Sequence, residues 1–104
     1  MALKTYDDNR SSQGRWVPES ATLHLPEQSD FQSLAKQIKQ SAWLTLPVAR
    51  VDFSEVKKAD SATLSLLLFW AKQQHSPLEV IALPEQMKTL IDLYDMKDVL
   101  QVSH

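Results

Sequence analysis

Residues 51–71, VDFSEVKKADSATLSLLLFWA, contain the most informative strand and helix signals in this chain. The stretch begins as an apolar, β-branched run that ends near Asp52, continues through a short basic loop, and then becomes a run of good helix formers. Asp60 and Ser61 are both of a type preferred at a helix start, so either residue can cap the helix. A hydroxyl there lies beside backbone N–H groups and the positive end of the helix dipole, which suits an anionic group.

The helix in this stretch is apolar on nearly every side. Its apolar residues are Ala62, Leu64, Leu66, Leu67, Leu68, Phe69, Trp70 and Ala71. A helix with so little polar surface has to be covered on more than one side, either by a sheet and its neighbouring helices or by a partner protein. The longest unbroken apolar run, residues 66–71, is far shorter than the roughly 20 residues of a membrane-spanning helix, so we expect no direct membrane insertion.

Short apolar runs on both sides of this stretch predict further strands. Arg15–Val17 and residues 21–25 are each followed by a proline and predict an antiparallel ribbon. Residues 48–53 have the length and β-branched content of a central strand, and residues 78–83 form a similar run. The tail, residues 96–102, adds either a last helical turn or a short edge strand.

The 3.6-residue period predicts two more helices. One begins after a cap at Ser29 or Asp30, and the other begins at Pro84, which suits the first position of a helix. The polar face of the first, which we expect to be exposed, consists of Gln32, Lys36, Gln37 and Gln40. The stripes that we expect to be buried are Phe31, Leu34, Ala35, Ile38 and Ala42 in the first helix and Met87, Leu90, Ile91 and Tyr94 in the second.

Alternating strands and helices with short connections predict an α/β fold. Right-handed crossovers make the later strands parallel, so we expect a mixed β-sheet of about four to five strands, with the N-terminal antiparallel ribbon at one edge and three or more packed helices. A length of 104 residues suits one domain, which we assign to residues 15–104, after a flexible leader at residues 1–14. Functional groups in such a sheet gather beyond the carboxyl ends of the parallel strands, where the loop at residues 54–61 lies.

Composition argues against several classes of function. A net charge of −2 gives no basic field for nucleic acid, and a chain without cysteine has neither disulfides nor thiolate metal sites. The single glycine, Gly14, disfavours a phosphate-binding loop, so no nucleotide cofactor is expected. His24, His75 and His104 lack the spacing that puts two ligands on one metal. Residues 1–8 lack the apolar segment of a secretory signal, which predicts a cytoplasmic protein.

The sequence resembles the STAS domain family, which includes anti-sigma factor antagonists and domains attached to sulfate transporters. The likeness covers roughly residues 16–102, and within the family it points to the small stand-alone STAS domains of Mla systems, which maintain outer-membrane lipid asymmetry in Gram-negative bacteria. The segments that carry it are Val51-Asp52-Phe53-Ser54, Asp60-Ser61-Ala62-Thr63-Leu64 with its apolar helix, the strand at residues 78–83, Leu90-Ile91-Asp92-Leu93-Tyr94 and Asp98-Val99-Leu100.

This resemblance implies two alternative roles for Ser61. In the first, the chain is a non-catalytic accessory subunit that docks on the ATPase of an ABC phospholipid transporter, and through it on a membrane permease complex at the inner membrane. In the second, it is an anti-sigma factor antagonist controlled by phosphorylation of Ser61. The family usually has glycine at one or both of the positions of Ala62 and Thr63. Thr63 should present its added bulk and second hydroxyl to a kinase or partner, which counts against regulatory phosphorylation more than against docking, because a partner can be shaped to a threonine. The partner surface implied by the resemblance is Asp60, Ser61, Ala62, Thr63, Leu64 and Ser65.

The remaining candidate residues have mainly structural interpretations. Catalysis through Ser61 with a histidine base is not expected, because flanking glycines and a pair of oxyanion donors are missing. Asp52 is predicted to bond loop amides, and the lysines at 57 and 58 are predicted to lie in a solvated loop. The aromatic residues predicted in or beside the core are Trp43, Trp70 and Tyr94. Trp70 is also suited to anchor an interface.

Overall fold

The computed structural model describes residues 14–74 and 76–103. The leader predicted for residues 1–14 therefore lies outside the described residues, apart from Gly14, and so do His75 and His104. Among the described residues, no helix combines the length and the apolar character needed to cross a membrane.

Within the described residues, seven strands form two sheets. They are β1 (Arg15–Val17), β2 (Thr22–His24), β3 (Gln28–Ser29), β4 (Arg50–Asp52), β5 (Lys58–Ala59), β6 (Leu78–Ile81) and β7 (Leu100–Ser103). The main sheet has the order β1-β2-β4-β6-β7, and β3 pairs with β5 in a small second sheet. The β1–β2 pair is antiparallel and the other pairs of the main sheet are parallel, which confirms the predicted mixed sheet and places β7 at its edge.

Three α-helices connect the parallel strands of the main sheet. They are α1 (Phe31–Gln40), α2 (Ser61–Gln73) and α3 (Glu85–Leu93). The strands β2, β4, β6 and β7 lie side by side in the sheet in the same order as in the chain. Right-handed crossovers between them therefore place all three helices on the same face of the sheet. The helix α2 packs against both α1 and α3, which explains why its apolar residues extend so far around it.

The two faces of the sheet differ in polarity. Leu23, Val51 and Val80 are neighbours in register and are fully buried beneath the helices. The alternate residues carry polar pairs: Arg50 Nε donates to Glu79 Oε1 at 3.0 Å, and the Ser103 hydroxyl donates to Glu79 Oε2 at 3.1 Å. One hydrophobic core therefore forms on the helical side of the sheet.

Both tryptophans of the described core are buried together. Trp43 and Trp70 have ring centroids 6.3 Å apart, and the Trp70 indole N–H donates to the Trp43 carbonyl at 3.1 Å. Their predicted place in the core is confirmed. Only 1% of Trp70 is exposed, so the suggestion that it anchors an interface is wrong, because its ring is already enclosed by the chain's own core.

Four residues depart from the predicted helical faces. Phe31 is 67% exposed because it is the first residue of α1, where the packing partner does not reach it, and Ala42 is exposed because α1 ends at Gln40. Tyr94 is 56% exposed because it follows the last residue of α3 and no longer keeps the helical phase. Gln37, predicted on the wet face, is buried near Trp43 and Gly14, with which it lines a small cleft.

Candidate functional site

The candidate site is built at the carboxyl end of β4, where the chain turns toward α2. The Asp52 carboxylate accepts the Ser54 backbone N–H at 2.7 Å through Oδ1 and pairs with His24 Nδ1 at 3.2 Å through Oδ2. The prediction that Asp52 bonds a loop amide is confirmed. His24 and Asp52 are also register partners on neighbouring strands, so their pair closes the ends of β2 and β4.

The basic part of the loop is tied to the segment before α1. Lys57 and Lys58 both donate their backbone N–H to the Glu27 carbonyl, at 2.8 and 3.1 Å. Their ammonium groups pair with Glu27 at 3.1 Å and with Asp30 at 3.5 Å, respectively. Both lysine side chains remain largely exposed, as predicted, but Lys58 lies in β5 rather than in irregular loop. These contacts fix the start of α1 against the loop that precedes α2.

Asp60 caps two helices at once. Its Oδ1 accepts the Ala62 backbone N–H at 3.0 Å, which makes Asp60 the N-cap of α2. Its Oδ2 accepts the backbone N–H of Phe31, the first residue of α1, also at 3.0 Å. A carboxylate that satisfies N–H groups of both helices holds their amino ends together.

Thr63 completes this frame from inside. Its hydroxyl donates to the Ser29 carbonyl and accepts the Asp60 backbone N–H at 3.3 Å, forming a capping box with Asp60. The Thr63 side chain has no exposed surface. The expectation that its bulk faces an approaching protein is therefore wrong, because the hydroxyl turns the side chain inward.

An apolar groove of about 610 Å³ lies between α1 and α2, and we call it the α1–α2 groove. It contains four of the six residues predicted for partner binding, Asp60, Ser61, Ala62 and Ser65. The other two, Thr63 and Leu64, are buried, with 0% and 4% of their surfaces exposed. The remaining lining residues are apolar: Phe31, Leu34, Ala35, Ile38, Leu44, Leu66 and Phe69.

Two residues of this surface were not predicted from the sequence. The helical period predicts Phe31 in a buried stripe and predicts no surface role for Leu44, yet they are 67% and 40% exposed beside the groove. The available signal was position: Phe31 directly follows the capping pair Ser29-Asp30, and Leu44 stands in a short segment between α1 and Pro47. Apolar residues at such junctions are not bound to follow the helical phase.

Asp30 is an acidic group beside the site whose ionised form is stabilised by its neighbours. The backbone N–H and hydroxyl of Ser33, together with Lys58, hold the pKa of Asp30 below its ordinary value of 3.8. Asp30 is the N-cap of α1, and its Oδ1 accepts the Ser33 N–H at 3.1 Å. Within residues 14–74 and 76–103, no group of three or more His, Cys, Asp or Glu side chains could hold a metal ion.

The α1–α2 groove has a polar border of serine hydroxyls beside its apolar residues. Ser61 and Ser65 are exposed one helical turn apart, and the Ser65 hydroxyl donates to the Ser61 carbonyl at 3.3 Å. They border an apolar floor whose shape is fixed by the shared cap. Such a surface presents hydroxyls and hydrocarbon to another protein.

A family model described as "Mlab, STAS domain" matches residues 13–101, a range that contains the whole candidate site. Comparisons with curated proteins and with solved structures gave no match.

Proposed function

Because the chain belongs to the STAS domain family described as "Mlab, STAS domain", we propose that it is a non-catalytic accessory subunit of an ABC phospholipid transporter. In this role it binds the transporter's ATPase subunit in the cytoplasm, and through that subunit it associates with the permease complex at the inner membrane. The system it serves maintains outer-membrane lipid asymmetry. The α1–α2 groove is the docking surface, since it joins Ser61 to an exposed apolar floor.

The single observation that carries this proposal is the exposure of Phe31 and Leu44 beside Ser61. Scattered exposed apolar residues are ordinary on a soluble protein. Here two large ones line the same groove as the half-buried Ile38 and Phe69, with Ser61 at its polar border. An apolar centre with a polar rim is the usual anatomy of a protein interface.

Rigidity of the groove supports docking without rearrangement. The Asp60 carboxylate joins the first turns of α1 and α2, and the Thr63 hydroxyl joins α2 to β3 through the Ser29 carbonyl. A surface that is already formed loses little conformational entropy when it binds. The proposed contribution is thermodynamic: by binding one state of the ATPase better than another, the subunit shifts that equilibrium by the difference in binding free energy.

A second candidate function is the anti-sigma factor antagonist, supported by the exposure of Ser61 at the first position of α2. A phosphate there would meet the positive end of the helix dipole, although Asp60 beside it would oppose the added charge. In that role phosphorylation of Ser61 would release a kinase-like partner.

Copurification distinguishes the two candidates. The full chain, tagged and expressed at native level in its own cells, should bring down an ATPase together with a permease, identified by mass spectrometry. The intact mass of the recovered chain should show no stoichiometric phosphate. Recovery of a kinase-like protein alone, with a phosphate on Ser61, would favour the antagonist and contradict the transporter role.

A further inference from the structure

A second group of exposed apolar residues lies away from the α1–α2 groove, near the edge of the main sheet. Of the large apolar residues that are exposed among the described residues, Phe31 and Leu44 line the groove, whereas Leu93 ends α3, Tyr94 directly follows it and Val102 lies in β7. The strand β7 is the last in the main sheet, so one side of its backbone has no neighbouring strand in the described part of the chain.

The two edge strands of the main sheet, β1 and β7, differ in how well they are protected against pairing with another strand. At β1 the charged Arg15 is exposed and Pro18 directly follows the strand, and both are features that keep other strands from pairing. The strand β7 reads Leu-Gln-Val-Ser and has neither a charge nor a proline. Uncharged edge strands of this kind are open to pairing with another strand.

The backbone groups that face outward from β7 can be assigned. The Leu78 N–H donates to the Val99 carbonyl, and Leu78 is the register partner of Leu100. Because backbone groups alternate along a strand, Gln101 and Ser103 also direct theirs to β6. The N–H and C=O groups of Leu100 and Val102 therefore point away from the sheet.

These outward groups fit a second copy of the same strand. We propose that β7 is the pairing edge of a symmetric homodimer, in which the strand lies antiparallel to β7 of the second copy with Leu100 opposite Val102. In this register both Leu100–Val102 pairs exchange their N–H···O=C bonds, so every outward group is satisfied. Gln101 then faces Gln101 on the polar side of the sheet.

Side-chain placement agrees with this register. Leu100 and Val102 both lie on the helical face of β7 and line a cavity of about 290 Å³ between the strand and α3. Its other lining residues are the apolar Leu83 and Ile91 and, at its border, Lys88, Asp92 and Lys97. Opposite residues of an antiparallel pair lie on the same face, so apolar side chains meet apolar side chains across the two-fold axis. One-residue slips are disfavoured, because they would put Gln101 against the apolar face.

The lysines beside this edge are paired with acidic residues of the same chain. Lys97 pairs with Asp92 at 3.9 Å, and Lys88 pairs with Glu85 at 3.1 Å. Both signs are present on the surface, so a two-fold axis brings no field of a single sign against itself. The β7 edge is a different surface from the α1–α2 groove, so self-association through β7 does not depend on the proposed ATPase.

Sedimentation equilibrium of the full chain over a hundredfold concentration range tests the proposal. The wild type should approach twice the monomer mass as its concentration rises. Val102→Lys places a charge on the apolar face of the pairing edge and should weaken self-association by about tenfold or more. The same substitution on the opposite edge strand, Val17→Lys, is the matched control and should associate like the wild type.

Residue-resolved amide exchange gives a second readout that does not depend on a variant's folding. The Leu100 and Val102 amides should become protected as protein concentration rises, whereas the Gln101 and Ser103 amides, bonded to β6, should be protected at every concentration. A wild type that stays monomeric throughout, or a dimer in which the Leu100 and Val102 amides exchange as in the monomer, would overturn the proposal.

Discussion

The Asp60 carboxylate accepts the backbone N–H of Phe31 at 3.0 Å, across 29 residues of sequence, while it caps its own helix through Ala62. One side chain thus sets the distance between the amino ends of α1 and α2. The same distance sets the width of the α1–α2 groove at the end where Ser61 lies. Folding stability and the candidate binding surface therefore share a residue.

Replacing Asp60 tests the shared cap. Asp60→Ala leaves two helix N–H groups without their acceptor and should lower the free energy of unfolding by about 1–3 kcal/mol. Asp60→Asn retains one side-chain oxygen and should recover part of the loss. Urea unfolding followed by circular dichroism measures both. An alanine variant as stable as the wild type would show that the cap does not hold the helices together.

Replacing Thr63 tests the inner half of the frame. Thr63→Val keeps the shape of the side chain but leaves the Ser29 carbonyl without its hydroxyl donor, at a fully buried residue. We expect it to lower the free energy of unfolding by about 1–3 kcal/mol. Thr63→Ser keeps the hydroxyl and serves as the control. A valine variant that unfolds at the same urea concentration as the wild type would show that the hydroxyl contact contributes nothing.

The loss of folding stability at acidic pH should depend in part on Asp30. Its pKa in the folded chain lies below the ordinary value of 3.8, so the unfolded chain binds more protons as the pH falls through this range. The stabilisation from Asp30 is complete above its ordinary pKa and is lost as the pH drops through the lowered one. Asp30→Asn removes this titration, and its stability should fall less between about pH 5 and about pH 3 than that of the wild type.

Urea midpoints of the two proteins at those pH values give the comparison. The difference between wild type and variant should shrink as the pH falls. A constant difference across the range would mean that Asp30 does not contribute to acid unfolding.

Several features of the fold followed from periodicity and capping in the sequence. The parallel strands, the antiparallel ribbon and the three helices were predicted because strands and helices repeat their apolar residues with distinct periods. Asp60 was one of two predicted caps. The small β3–β5 pair was not predicted, because it joins Gln28–Ser29 to Lys58–Ala59 through backbone bonds that leave no pattern in the side chains.

The candidate site was harder to predict, because an apolar helical stripe shows which side chains share a face of the helix but does not show whether another element covers them. Phe31 and Tyr94 keep the apolar spacing but lie at the ends of α1 and α3, where no neighbour covers them. Thr63 has the sequence position of a surface hydroxyl, but its long-range contact with the Ser29 carbonyl turns it inward. Contacts between residues far apart in sequence decide which members of the Asp60–Ser65 segment remain exposed.

Substitutions at Ser61 separate charge from packing at the rim of the groove. Ser61→Asp adds a carboxylate that would be desolvated in the interface beside Asp60, and it should weaken binding to the ATPase by about 1–3 kcal/mol. Ser61→Ala removes only a hydroxyl from an exposed position and should have a mild effect. Isothermal titration calorimetry with the copurified ATPase measures both variants. Equal, tight binding by the two would exclude a central role for this position.

The most direct test of the docking proposal compares two neighbouring residues in the first turn of α1. Phe31 lines the groove, whereas Gln32 is exposed outside it. Phe31→Asp and Gln32→Asp add the same charge at adjacent positions, so any general electrostatic effect should be similar. Calorimetric titration of each full-length variant into the ATPase should show binding weakened by about 2 kcal/mol or more for Phe31→Asp and close to wild type for Gln32→Asp. Unchanged binding by Phe31→Asp, in a variant that unfolds like the wild type, would contradict docking through the α1–α2 groove.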